Sequence, residues 1–159
     1  MVGIIPVGLS DGDRVMAVAG YSGTPLLKKL GYAAGQRACL IGVPANVAEL
    51  LAFEQFAVRR VLKNAAMLAR EKGSFDLVHV FVSEAEGFGA TLAEARKRLM
   101  PNGMVWVSWP KKAAKVATDV TEHVVRNGAL AAGLVDIKVC AVDATWSGLK
   151  LVVPRADRG

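Results

Sequence analysis

The residues of this sequence that could do chemistry are two tryptophans with lysines and a hydroxyl group beside them. Trp109 is followed by Lys111 and Lys112, and Trp146 is followed by Ser147. Indole rings stack on planar ligands, and ammonium groups bind anions through charge and hydrogen bonds. The pattern therefore predicts a site for an anionic, partly aromatic small molecule. The candidate ligand-binding residues are Ser22, Thr24, Gly42, Ser108, Trp109, Lys111, Lys112, Asp143, Trp146 and Ser147.

A structural interpretation of the same residues stays open. Trp109 and Trp146 could cap the end of the core beneath solvated lysines, since Trp is often buried and Lys usually exposed. Thr24 could be an ordinary helix N-cap. His79 falls inside an apolar run, where a core residue with a satisfied ring nitrogen is expected. No catalytic residue is predicted, because the sequence shows no nucleophile motif and no proton-transfer pair.

The cysteines and histidines argue against a metal site. Cys39 and Cys140 are far apart, and each lies within an apolar run. His79 and His123 are the two histidines, and no CxxC, HxxxH or carboxylate cluster accompanies them. We expect two buried thiols and no structural metal.

The composition indicates a folded protein. The chain has 159 residues, of which 53% are hydrophobic and 21% are charged. This balance excludes intrinsic disorder, and no apolar stretch approaches the roughly 20 residues that span a bilayer. We expect one cytoplasmic domain over residues 1–159, with no membrane partner. It would consist of an N-terminal arm or hairpin over 1–20, a core over 21–153 and a tail over 154–159.

The net charge of +6 suggests a second hypothesis. Such a charge attracts anions, although it lacks the dense single-faced character of a dedicated nucleic-acid binder. A nucleic acid or an acidic partner could bind a basic patch. Its residues would be Arg59, Arg60, Lys63, Arg70 and Lys72. A helical surface of this kind is more often simply solvated, so this stays the alternative to small-molecule binding.

Apolar runs and turn residues predict the elements that hold these candidates. Strands are expected at 38–41, 57–61, 75–82, 104–109, 135–142 and 149–153. Helices are expected at 24–31, 46–53, 62–71, 83–99 and 119–133. The predicted caps are Thr24, Asn46, Ser83 with Glu86, and Asp119 with Glu122. Residues 55–63 fit a strand or a helix, and the short strand at 57–61 is the interpretation chosen.

Strands that alternate with helices predict an α/β protein. We expect a three-layer, Rossmann-like arrangement with a mostly parallel sheet and a C-terminal antiparallel hairpin. Ligands of such sheets bind outside the carboxyl ends of the strands. The loops after Ile41, Val82, Trp109 and Val142 should therefore open on one edge. That geometry would bring the candidate residues into one neighbourhood.

This order of elements resembles the class I S-adenosylmethionine methyltransferase fold in abridged form. Four segments are also similar to a bacterial family catalogued as domain of unknown function 3052. They are Tyr21–Gly31, Phe75–Val82, Asn102–Arg126 and Gly133–Val152, with WVSWPKK and WSGLKLV as their most specific parts. The resemblance implies a methyltransferase-like topology over roughly Gly20 to Val153. It implies no activity.

The cofactor motif of a methyltransferase is degenerate here. Such an enzyme needs a glycine-rich loop after the first strand and an acidic group after the second, which holds the ribose hydroxyls. Gly42 is the one glycine of the first loop, and no carboxylate follows the second predicted strand near Arg60 to Asn64. We therefore expect a non-catalytic or degenerate module. A true S-adenosylmethionine-dependent methyltransferase is the third hypothesis.

Overall fold

A computed structural model describes residues 26–158 of the chain. The arm predicted over 1–20 and two candidate residues, Ser22 and Thr24, lie outside this range. The chain divides into two units, residues 1–32 and 33–159. In the first unit, helix α1 (Leu26–Lys29) is terminated by the turn at Gly31, whose φ is +78°. The N–H of Tyr32 donates to the carbonyl of Leu27 at 2.9 Å, which makes this end a Schellman motif.

The second unit is built on a six-stranded sheet of order β2-β1-β3-β4-β6-β5. The strands are β1 (Arg37–Ile41), β2 (Val58–Leu62), β3 (Phe75–Phe81), β4 (Leu99–Pro110), β5 (Val135–Ala141) and β6 (Trp146–Val152). The pairs β1–β2, β1–β3 and β3–β4 are parallel, whereas β6 pairs antiparallel with both β4 and β5. Five of the described strands thus run one way and β6 runs the other. The predicted α/β class, mostly parallel sheet and closing hairpin are confirmed.

One face of the sheet is covered by helices α2 (Phe88–Lys97) and α3 (Glu122–Ala131). Buried side chains of both helices pack on the strands, among them Leu92 and Val125. The strand residues of this core include Cys39, Ile41, Val78, Val80, Val105, Val107, Leu149 and Leu151. Burying one such aliphatic side chain contributes roughly 1.5–3 kcal/mol, more than a typical helix cap at about 1 kcal/mol. Packing therefore dominates where the helices lie.

Successive residues of a strand point to opposite faces, and the second face of the sheet is also buried. It carries Leu40, Leu77, His79, Trp106 and Ser108, by their cross-strand register. All five are almost completely shielded from solvent. This is why β1, β3 and β4 read as continuous apolar runs in the sequence.

Two predicted helices are wrong in type. Residues 46–53 and 62–71 form 3₁₀ segments at Ala45–Leu51 and Ala65–Arg70 instead, and shorter ones lie at Lys112–Ala114 and Arg155–Asp157. Val47 has a non-helical backbone, with φ −126° and ψ 36°, and interrupts the first segment. The strand interpretation of 57–61 is confirmed with its bounds shifted by one residue, so that Leu62 ends β2 and does not begin a helix. The guanidinium of Arg98 then donates to the carbonyl of Ala69 at 2.9 Å, which holds the chain in a turn.

The predicted caps Asn46, Ser83 and Asp119 are also wrong in position, whereas Thr24 lies outside the described residues. Helix α2 begins after Gly87, whose φ is +79°, with no side-chain cap. Helix α3 is capped by Thr121, whose hydroxyl accepts from the N–H of Val124 at 3.2 Å. Asp119, the predicted cap, accepts instead from the N–H of Ala85 at 2.7 Å. A polar side chain near a helix start can bond another segment of the fold instead of the helix N-terminus. Asp119 bonds Ala85 in this way, and Thr121 caps α3.

Candidate functional site

The candidate site lies at the carboxyl edge of the sheet. Strands β1, β3, β4 and β5 all end there, at Ile41, Phe81, Pro110 and Ala141. The predicted convergence of their following loops on one edge is therefore confirmed. From β1 the chain goes outward to β2 and then returns to β3 on the other side of β1. Such a reversal of strand order leaves a crevice between the loops, which is where open α/β sheets bind ligands.

Trp109 and Trp146 do not meet at this edge. Trp109 pairs with Ser147, and Trp146 pairs with Pro110. Directly paired residues share a face and the next residue takes the opposite one, so the two indoles lie on opposite faces. Trp109 is 5% exposed within the core beneath the helices. The expectation that both indoles line one pocket is wrong, while a ligand-binding role for each residue stays a prediction.

Trp146 instead packs against Phe81, the last residue of β3. The two rings meet edge to face, with centroids 5.2 Å apart and planes at 82°. Both side chains are half-buried, so part of the Trp146 indole faces solvent. Sequence reasoning missed Phe81. Its signal was its place at the end of an apolar strand that points toward the expected edge.

Lys111 is joined to the strand that carries Trp146. Its N–H donates to the carbonyl of Thr145 at 2.7 Å, which extends the β4–β6 pairing one step beyond Pro110 and Trp146. Lys111 is half-buried and Lys112 is exposed. Within the described range 26–158, neither ammonium group forms an ion pair. The backbone of Lys111 and Lys112 therefore lies next to the loop that carries Trp146, and within the described range both positive charges lack an ion-pair partner.

Asp143 organises the loop between β5 and β6. One carboxylate oxygen accepts from the N–H groups of Thr145 and Trp146, at 2.8 and 2.7 Å. The other accepts from the Asn46 amide at 2.8 Å. Asn46 follows β1, so this bond links loops that leave two different strands. Burial and the charge of Asp143 raise the pKa of Glu49 above its ordinary value.

Ser108 is committed to an internal hydrogen bond. Its hydroxyl lies 2.7 Å from His79 Nε2, and both side chains are completely buried. Burial lowers the pKa of His79 to about 3, so the imidazole is neutral at physiological pH. The prediction that His79 is a core residue with a satisfied nitrogen is confirmed. Ser108 has no exposed surface for a ligand to contact in this conformation.

Gly42 fills the narrow space between the ends of β2 and β3. Its φ is +68°, and its N–H donates to the carbonyl of Leu62 at 2.9 Å. A Cβ at this position would lie 3.4 Å from the Phe81 carbonyl oxygen. A glycine is therefore required by conformation, before any ligand is considered. Ser147, the remaining candidate, is half-buried on the face of the sheet that also carries Trp109.

A small cavity of about 170 Å³ opens beyond the ends of β2 and β3. It is lined by Ala65, Val82, Ser83, Glu84, Glu86, Phe88 and Thr91. None of the predicted site residues is among them. These residues lie on the Ala65–Arg70 segment, on the turn after β3 and at the start of α2. The sequence marked two of them, Ser83 and Glu86, but as a helix cap and not as part of a cavity.

The residues at this edge do not fit S-adenosylmethionine, the cofactor that the resemblance implies. The first loop continues from Gly42 to Pro44, which has no N–H to donate. Strand β2 is followed by Lys63 and Asn64, so no carboxylate is available for ribose hydroxyls. No methyl-transfer step follows from these residues.

The predicted basic patch is partly neutralised within the fold. Arg60 binds the Glu71 carboxylate through two nitrogens, at 2.7 and 3.0 Å. A guanidinium nitrogen of Arg59 donates to the carbonyl of Leu51. The other three members, Lys63, Arg70 and Lys72, are exposed and form no ion pair with the described part of the chain. Binding of a nucleic acid through this patch stays a prediction.

Two further observations concern metals and membranes. Within residues 26–158, no group of three or more His, Cys, Asp or Glu side chains is arranged to hold a metal ion. Over the same range, every helix falls short of the length and hydrophobicity that crossing a bilayer requires.

Solved structures with a similar fold include several methyltransferases. Magnesium protoporphyrin IX methyltransferase from Synechocystis PCC 6803, with bound SAH, matches with a TM-score of 0.55 and 14% identity, over 80% of this chain and 78% of that one. A methyltransferase from Pyrococcus furiosus matches with a TM-score of 0.58 and 17% identity, over 79% and 78%. A TehB-like SAM-dependent methyltransferase from Corynebacterium glutamicum matches with a TM-score of 0.57 and 11% identity, over 80% and 85%. At these identities the likeness concerns the fold, which is methyltransferase-like and Rossmann-like.

The sequence itself matches one family model. No curated protein matches it. The model of a family described as a protein of unknown function, DUF3052, matches residues 56–155, which is more than half of the chain. The suspected membership is confirmed, and this methyltransferase-like chain belongs to the DUF3052 family.

Proposed function

We propose that this protein is a methyltransferase-like binding module that holds a planar, anionic small molecule at the carboxyl edge of its sheet and does not transfer a methyl group. The observation that carries the proposal is the hydrogen bond from the Lys111 N–H to the Thr145 carbonyl. It ties the Lys111–Lys112 segment to the residue before Trp146, whose half-buried indole meets Phe81 edge to face.

The chemistry of this group suits a ring that carries a phosphate or carboxylate. The exposed part of the Trp146 indole offers a stacking surface, and stacking of a base on an aromatic side chain is worth about 1–3 kcal/mol. An ammonium group about 4 Å from an anion contributes roughly 1 kcal/mol in bulk water and about 4 kcal/mol near a protein surface. Asp143 weakens the site less than its charge suggests, because three hydrogen-bond donors already engage its carboxylate.

The geometry supports binding over catalysis. A methyltransferase would need a carboxylate for the ribose at the end of its second strand, and β2 is followed by Lys63 and Asn64 instead.

The test is a titration with planar phosphates. Isothermal titration calorimetry with AMP, FMN and pyridoxal phosphate should detect saturable binding of at least one of them. The variant Lys111→Ala/Lys112→Ala should weaken that binding by roughly tenfold or more, which corresponds to about 1.4 kcal/mol. Lys72→Ala is the matched control, because Lys72 precedes β3 and so lies near the opposite edge. Equal losses in both variants, binding of S-adenosylmethionine alone, or binding of none of these probes would overturn the proposal.

A further inference from the structure

A positive charge follows β2, whereas a ribose with free hydroxyls is usually bound by an acidic residue at this position. Lys63 is the first residue after β2, and it follows Gly42 by 21 positions. Strands β1 and β2 are paired in parallel, with Ile41 opposite Leu62. A Cβ at Gly42 would lie 3.7 Å from the carbonyl oxygen of Lys63. The glycine of the first loop and Lys63 are therefore neighbours at the point where the strand order reverses.

Position and charge together indicate the ligand group. In open α/β sheets, an acidic residue about 20 positions after the glycine turn accepts hydrogen bonds from ribose hydroxyls. Where the ribose is phosphorylated, a basic residue nearby accommodates the phosphate instead. We infer that Lys63 binds a phosphate carried on the ribose of a nucleotide. This inference rests on the proposed function and names one chemical feature of the ligand.

The other cations near β2 do not serve this role. The guanidinium of Arg60 is held by Glu71, and that of Arg59 is held by the Leu51 carbonyl. Lys63 is exposed and has no ion-pair partner among the residues described. Its charge is therefore available to a ligand, whereas the charge of Arg60 is neutralised by Glu71 and the guanidinium of Arg59 is oriented toward the Leu51 carbonyl.

The space beside this position accepts part of a ring. The cavity at the ends of β2 and β3 begins at Ala65, two residues after Lys63. Val82 and Phe88 give it apolar walls, whereas Glu84 and Glu86 at its rim repel a second phosphate. The cavity thus favours an uncharged part of the ligand, and the phosphate belongs at Lys63.

Lys63 and Lys111 follow different strands. They come after β2 and β4, which are three strand spacings apart in the sheet. At about 4.8 Å for each spacing, their backbones are separated by roughly 14 Å. They are therefore assigned to separate anion subsites, and the two sets of variants test that assignment.

The experiment compares adenosine with adenosine 2′-monophosphate by isothermal titration calorimetry. The native protein should bind the 2′-phosphate at least tenfold more tightly than adenosine. Lys63→Ala should remove this preference, and Lys63→Glu should reverse it, because a carboxylate repels the phosphate and accepts hydrogen bonds from the free hydroxyls. Lys72→Glu is the control with the same change in net charge, and it should retain the preference.

Several results would overturn the inference. They are equal affinity of the native protein for the two probes, absence of binding of the 2′-phosphate at millimolar concentration, and equal losses in Lys63→Glu and Lys72→Glu. Competition by inorganic phosphate with the same dependence on Lys63 would support it. Lys63-dependent binding that is unaffected by Lys111→Ala/Lys112→Ala would uphold this inference while rejecting the site under the proposed function. Circular dichroism melting confirms that each variant is folded.

Discussion

The amide of Asn46 donates a 2.8 Å hydrogen bond to the carboxylate of Asp143, 97 positions away in the sequence. The bond joins the loop after β1 to the loop after β5. The same carboxylate also holds the N–H groups of Thr145 and Trp146. The orientation of Trp146 therefore depends on a contact from the other half of the fold.

Asn46→Ala should loosen the loop that carries Trp146. The bond is exposed, so its loss should cost about 1 kcal/mol or less of unfolding free energy. Acrylamide quenching of tryptophan fluorescence should nevertheless increase, because Trp106 and Trp109 are buried and quenching reports mainly on Trp146. Asn127→Ala, which removes an exposed hydrogen bond on α3, is the control and should leave quenching unchanged. Unchanged quenching in Asn46→Ala would contradict this role of the bond.

The two tryptophans should respond differently to substitution. Trp109→Ala opens the core and should cost about 3–5 kcal/mol of unfolding free energy, measured by urea denaturation. Trp146→Ala should cost less, since its side chain is half-buried. In ligand titrations, Trp146→Ala should weaken binding of a planar phosphate by roughly fivefold or more, as the loss of one stacking contact predicts. Trp109→Phe keeps the core filled and should bind the ligand with native affinity. Weaker binding by Trp109→Phe together with native binding by Trp146→Ala would reject the site.

His79 should make the fold sensitive to acid. Burial lowers its pKa from 6.5 to about 3, so between these values the unfolded chain binds a proton that the folded chain does not. The contribution of neutral His79 to stability is complete above about pH 6.5 and falls as the pH falls toward 3, by up to about 1.4 kcal/mol per unit. Urea denaturation of His79→Gln should give a flatter pH profile than the native protein. His123→Gln, at an exposed position on α3, should keep the native slope, and equal slopes for all three proteins would refute the assignment.

Gly42→Ala should destabilise the protein. Its φ of +68° is unfavourable for alanine by roughly 1–2 kcal/mol, and the new Cβ would touch the Phe81 carbonyl at 3.4 Å. Gly89→Ala in α2 is the matched control, because nothing lies within 4 Å of its new Cβ. Alanine there should stabilise the helix by about 0.5–1 kcal/mol. Urea denaturation should show a lower unfolding free energy for Gly42→Ala and a higher one for Gly89→Ala. An unchanged unfolding free energy in Gly42→Ala would show that the turn adjusts to accommodate alanine.

Much of the fold could be predicted from local sequence patterns. The buried strands at Arg37–Ile41 and Phe75–Phe81 are continuous apolar runs between turn residues, and β5 and β6 read as a terminal hairpin. Right-handed connections then bring the strand ends to one edge. The cap prediction at Asp119 was wrong because a carboxylate can accept a hydrogen bond from any N–H group near it in the fold. Here the donor is the N–H of Ala85, 34 positions earlier in the sequence.

The sequence by itself determined which residues are apolar, where the strands lie and that Lys111, Lys112 and Lys63 follow strand ends. Only the tertiary structure decided which face each side chain takes. A strand has a period of two, so the pairing of Trp109 with Ser147 and of Trp146 with Pro110 sends the indoles to opposite faces. The tertiary structure also decided which positive charges are neutralised. Arg60 and Lys63 are both basic residues near the end of β2, and only Arg60 is paired with Glu71. Register and long-range pairing arise only when distant segments meet, and for that reason local pattern could not supply the site.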